Sequence, residues 1–145
     1  MVELKTLAEA KVGEEFGTVE YVVTPEMVER FEKGVDNPAV WLDPPSNRGA
    51  RLNPTVCDRD GSRVYQTKYV PPLGILHAKQ EYEYLNPPRV GKKVRVKGKV
   101  VDRYVKKERE YTVVESVSVD EDGVEIIRGR QFLCYPLATK LEKAW

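Results

Sequence analysis

The sequence predicts an α+β domain in which one amphipathic helix packs on an antiparallel sheet. Three observations carry this. The C-terminal half holds four long β-like segments, Leu76 to Leu85, Lys92 to Tyr104, Glu110 to Val119 and Val124 to Tyr135. Short stretches with turn chemistry separate them: Asn86-Pro87-Pro88-Arg89-Val90-Gly91, the charged turn around Lys106-Lys107-Glu108, and Asp120-Glu121-Asp122-Gly123. One strong helix start, Thr24-Pro25-Glu26, precedes them all.

Each element has its own signal. Residues 1 to 14 read as an amphipathic lead-in ending in the turn Val12-Gly13-Glu14. Phe16 to Val23 alternates and is rich in Val and Tyr, which predicts a first strand. Thr24-Pro25-Glu26 then supplies a hydroxyl cap, a proline at the first helical position and an acid in the positive first turn. Met27, Val28, Phe31 and Val35 fall on one face, and Gly34 is placed to end a helix of about ten residues. Asp36 to Leu52 is dominated by Pro, Asn, Asp and Gly around Trp41, so it reads as a loop, with a mobile stretch over 44–53. Thr55 to Val70, with Asp58-Arg59-Asp60-Gly61 at its centre, reads as a hairpin. In the next strand, Leu76, Ala78, Tyr82 and Tyr84 alternate with His77, Lys79, Glu81 and Glu83, which puts His77 on the charged face. Further on, Val94, Val96, Gly98 and Val100 alternate with Arg95, Lys97 and Lys99, a strand with one wet face. Long consecutive strands with short turns predict a meander.

Composition narrows the function classes. A chain of 145 residues fits one domain over 1–145, large enough to bury a core without disulfides. Its 24 basic and 23 acidic residues leave a formal net charge of +1, without the uncompensated basic surface that nucleic acid requires. Two cysteines, Cys57 and Cys134, and one histidine make no metal-ligand pattern, so no metal site is expected. The N-terminal residues lack a signal-peptide pattern, and no apolar run reaches the roughly 20 residues that span a bilayer, so a cytoplasmic, membrane-free protein is expected.

Three stretches resemble the hot-dog superfamily, and within it the MaoC-like hydratases and dehydratases, close to fatty-acid-synthase-type dehydratase domains and the heteromeric hydroxyacyl dehydratases. They are Val23-Thr24-Pro25-Glu26-Met27-Val28-Glu29-Arg30-Phe31, then Gly34-Val35-Asp36-Asn37-Pro38-Ala39-Val40-Trp41, and Leu76-His77-Ala78-Lys79-Gln80-Glu81-Tyr82-Glu83-Tyr84 with Pro87-Pro88-Arg89-Val90-Gly91 after it. The resemblance covers about residues 15 to 135 and implies an antiparallel sheet wrapped around a helix. Active members carry Asp-x-Asn-Pro-x-His, the histidine moving a proton and the aspartate orienting water. Laid on Asn37-Pro38, the pattern puts Val35 where the aspartate belongs and Val40 where the histidine belongs. Neither can exchange a proton. The family's central helix begins near a segment matching Asn53-Pro54-Thr55-Val56, but Cys57-Asp58-Arg59-Asp60-Gly61 reads as a turn, so the helix is expected to be shortened or replaced.

The resemblance thus implies a dyad-less, acyl-pocket-forming subunit of an enoyl-CoA hydratase or 3-hydroxyacyl thioester dehydratase. It implies no cofactor beyond the coenzyme A or acyl carrier protein of the substrate. A homodimer, or a hetero-oligomer with a catalytic MaoC-like chain, is expected. His77 and Asp36 are the candidate catalytic groups, each with an alternative structural reading. Trp41, Asn37, Arg89 and Lys93 are candidate substrate contacts, the last two from a basic run that also reads as a solvated strand face. Cys57, beside Asp58, is expected to keep a raised thiol pKa. A non-enzymatic module binding acyl-CoA or a protein, and a thioesterase using Glu81 or Asp36, stay open as other readings.

Overall fold

The computed structural model describes residues 5–35 and 54–137. Asp36, Asn37, Val40, Trp41 and the stretch read as a mobile loop over 44–53 lie outside the described residues. In chain order the elements are β1 (Lys5–Thr6), β2 (Val19–Val22), α1 (Pro25–Gly34), a 3₁₀ turn (Pro54–Cys57), α2 (Asp60–Tyr65), β3 (Tyr69–Val70), β4 (Leu76–Tyr84), β5 (Lys93–Lys106), β6 (Arg109–Asp120) and β7 (Glu125–Pro136). β2, β4, β5, β6 and β7 form one antiparallel sheet in the order β2-β5-β6-β7-β4, and β1 pairs in parallel with β3 beside it.

α1 forms as its sequence predicts. The Thr24 hydroxyl accepts from the Met27 amide at 3.1 Å, Pro25 opens the first turn, and the helix runs ten residues to Gly34. Val28 is buried, with Met27 and Phe31 packed against the core beside it. Val94, Val96 and Val100 of β5 point to the same side of the sheet as Val114, Ile127 and Leu133, and they meet Val64 and Tyr65 of α2. Burying side chains of this size stabilises by roughly 1.5–3 kcal/mol each. The opposite sheet face carries the charges, paired across strands as in Arg95–Glu20 at 2.8 Å and Arg130–Glu115 at 3.0 Å.

Two expectations are corrected. Thr55 to Val70 is not a hairpin but a 3₁₀ turn followed by α2, a short central helix lying on the sheet. Asp-Arg-Asp-Gly has turn chemistry when read locally; here Asp60 is buried and Gly61 sits where an added Cβ would come within 3.3 Å of Ser116 Oγ. A helix is what fits against the strand. The strands are also not a simple meander. β5, β6 and β7 follow one another, but β4 pairs with β7 at the far edge, so residues 85–92 cross the end of the sheet. Pro88 and Val90 are buried in that crossing, and Gly91 (φ +87°) turns it so that its amide reaches Val23 O at 2.7 Å.

Candidate functional site

The N-terminal end of α2 is built on a buried carboxylate. Asp60 is 1% exposed. Tyr21 of β2 donates its hydroxyl to both carboxylate oxygens at 2.8 and 3.0 Å, and Ser118 of β6 donates at 2.7 Å. Arg63, one turn on, lies 3.6 Å from Asp60 and over the Tyr21 ring at 5.1 Å. Burial pushes the Asp60 carboxyl up, against the hydrogen bonds from Ser118 and Tyr21 that hold it down. Desolvation likewise raises the Tyr21 phenol. These groups satisfy one another. They join β2, α2 and β6, and offer no free base.

Cys57 touches the same node, its sulfur 3.2 Å from Tyr21 Oη. Its thiol is pushed up to about 12, chiefly by burial and next by Asp60, with Asp58 a smaller contribution. The rise expected from the sequence is present, though burial rather than Asp58 dominates it. Cys134 is also buried. Neither thiol is expected to release thionitrobenzoate from Ellman's reagent at pH 8 until guanidinium unfolds the chain. Rapid reaction in the native state would contradict the burial of both sulfurs.

β4 holds the largest correction at a candidate residue. Its register against β7 slips between His77 and Lys79, leaving Ala78 as an extra residue. The bulge moves His77 off the charged face and onto the helix-facing side, opposite Leu133 and in line with Gln80. His77 Nε2 donates to Gln80 Oε1 at 2.8 Å, and Nδ1 accepts from Gln131 Nε2 at 3.3 Å. Gln131 also donates to Ser62 of α2 at 3.0 Å. Lys79 lies over the Phe132 ring at 4.9 Å, on the other face. Further along β4, Tyr82 and Tyr84 donate to the Asp58 carbonyl at 2.9 Å and carboxylate at 3.0 Å, tying the edge strand to the start of α2. Both nitrogens of His77 are therefore engaged, Nε2 within β4 and Nδ1 through Gln131 toward Ser62 of the central helix.

The cleft beside this node lies between α1 and the residues leading into α2, with a volume of about 550 Å³. Met27 and Phe31 line one wall and Val56 the other. Arg30, Arg59 and Arg63 face the same space, with Glu26 and Asp58. Val35, at the position of the family's aspartate, is the half-exposed cap residue at the end of α1. Arg89 is exposed in the crossing segment. Lys93 lies on the charged sheet face, 3.9 Å from Glu20. Tyr21, Asp60, Arg63 and Gln131 carried no local signal, because only the fold gathers them from three elements. Among the described residues no cluster of His, Cys, Asp or Glu could hold a metal ion, and no helix is long and apolar enough to cross a membrane.

Residues 10–128 match the sequence profile of the FAS1-like dehydratase domain region. The chain belongs to that family. Its fold is a MaoC-like hot-dog with a short central helix. Among solved structures it is similar to a MaoC-like dehydratase from Rhodospirillum rubrum, at 19% identity and TM-score 0.67, covering 91% of this chain and 99% of that one. The HadBC (3R-hydroxyacyl-ACP dehydratase) complex from Mycobacterium tuberculosis gives TM-score 0.69 at 15% identity over 86% of this chain and 96% of that one. The ChsH1–ChsH2 complex from the same organism gives 0.64 at 16% over 85% and 96%. At these identities the likeness is one of fold. A search of curated proteins finds no match.

Proposed function

We propose that this chain is the non-catalytic, acyl-pocket-forming subunit of an enoyl-thioester hydratase or 3-hydroxyacyl thioester dehydratase. The observation that carries this reading is the pair of valines, Val35 and Val40, in the places of the family's proton-transfer residues. Among the described residues beside the cleft, Asp60 is enclosed by hydrogen bonds, Cys57 keeps its proton, Asp58 is held by the Tyr84 hydroxyl, and Glu26 sits in the first turn of α1 with no histidine beside it. The acyl chain lies against Met27, Phe31 and Val56. The partner chain supplies the dyad and seats on β4, a nine-residue edge whose Leu76 and Tyr84 side chains are 55% and 43% exposed. Heteromeric complexes among the similar structures support an assembly of this kind.

The purified chain alone is expected to leave crotonyl-CoA unhydrated, measured as retention of the enoyl thioester absorbance. Mixed with a hot-dog chain bearing Asp-x-Asn-Pro-x-His, encoded beside it, it is expected to yield hydratase activity. That activity should fall by about 10²-fold or more when the partner's dyad histidine is replaced. Hydration by this chain alone at an enzyme-like rate would sink the assignment.

A further inference from the structure

The two apolar walls of the cleft each carry an unused cation. Arg63 is committed to Asp60 and to the Tyr21 ring. Arg30 on α1 and Arg59 before α2 line the same space, and among the described residues neither has a carboxylate partner. Of the two acids in the lining, Asp58 is held by the Tyr84 hydroxyl at 3.0 Å, and Glu26 sits in the first turn of α1. With Arg63 spent on Asp60, Arg30 and Arg59 share the lining with Glu26 and Asp58 without forming an ion pair to either. An apolar slot with paired, unspent guanidinium groups fits an apolar chain that ends in an anion, because guanidinium binds carboxylate through parallel N–H donors.

We infer that the acyl group this cleft accommodates carries a second carboxylate at the end remote from the thioester. Arg30 and Arg59 receive that carboxylate, and Met27, Phe31 and Val56 enclose the methylenes between. The inference rests on the acyl-pocket reading of the cleft and adds the chemical class of the acyl group. The cleft volume suits an acyl chain of middle length rather than a whole coenzyme.

Octanoyl-CoA and suberyl-CoA share an eight-carbon acyl chain and a carrier, and differ in the terminal carboxylate. In calorimetric titration of the full chain, suberyl-CoA is expected to bind at least 10-fold more tightly. The preference should collapse in both Arg30→Gln and Arg59→Gln, with octanoyl-CoA affinity little changed. Because both arginines are at the protein surface, circular dichroism of the variants should match the wild type. Equal affinities for the two thioesters would overturn the inference while leaving the acyl-pocket reading in place. A preference for suberyl-CoA that survives in the double variant would overturn it as well. Binding of neither thioester would remove the pocket reading and the inference together.

Discussion

Asp60→Ala is expected to lower stability by about 3 kcal/mol, the cost of leaving the hydroxyls that converge on a buried carboxyl without their acceptor. The substitution leaves the buried Ser118 hydroxyl and the partly buried Tyr21 hydroxyl without their acceptor, and the cleft-lining Arg63 without its anion. For a chain of this size the melting midpoint should fall by roughly 10 °C, measurable by circular dichroism. A fall of only a degree or two would show that the node is not a keystone between β2, α2 and β6. The same carboxyl has a pH signature. Its pKa is raised in the folded state by burial, so above about pH 4 the folded protein holds a proton the unfolded chain has released. The folded state then binds more protons, and this group's contribution to stability is lost as pH rises through its folded value. The stability of wild type relative to Asp60→Asn should therefore decline with rising pH across that window. A difference that is flat, or that grows with pH, would contradict the direction of the shift.

Gly98→Val is the second large effect, with an expected loss of about 3 kcal/mol from overpacking. A Cβ at Gly98 would lie 2.7 Å from Val64 Cγ1 and 2.8 Å from the Glu115 carbonyl oxygen. Val64 could move only by lifting α2 from the sheet, and the carbonyl belongs to the ladder of β6. Urea midpoints should show the loss. Gly34→Ala, at the open end of α1 where an added Cβ meets nothing within 4 Å, serves as the control and should be neutral or slightly stabilising. Equal behaviour of the two variants would mean that α2 is not held close by Gly98.

Much of the sheet was legible because its signals are local. The strands from Leu76 onward and the capped helix from Pro25 stand within a residue or two of their sequence-based positions, since turns, caps and alternation act over a few neighbours. The errors came where neighbours do not decide. Asp58-Arg59-Asp60-Gly61 looks like a turn until Tyr21 and Ser118, far away in sequence, accept the buried carboxylate into a helix. Alternation alone assigns His77 to the charged face because it counts residues, and one bulged alanine changes the count. Arg30 and Arg59 were invisible as a set for a similar reason: they lie on separate segments and only the fold puts both in the lining of one cleft.

Because the chain crosses from the edge strand β4 to the interior strand β5 before β7 is made, the sheet closes in a fixed order during synthesis. On the ribosome β4 emerges early, but the strand it must pair with follows roughly 50 residues later. The β5–β6–β7 unit can close through adjacent turns as it leaves the exit tunnel, and β4 must wait with its backbone unpaired. Vectorial folding therefore ends with β4. A slow or stalled translation through β6 prolongs the interval in which a nascent chain presents that strand to chaperones, or to the β4 of its neighbour on the same polysome.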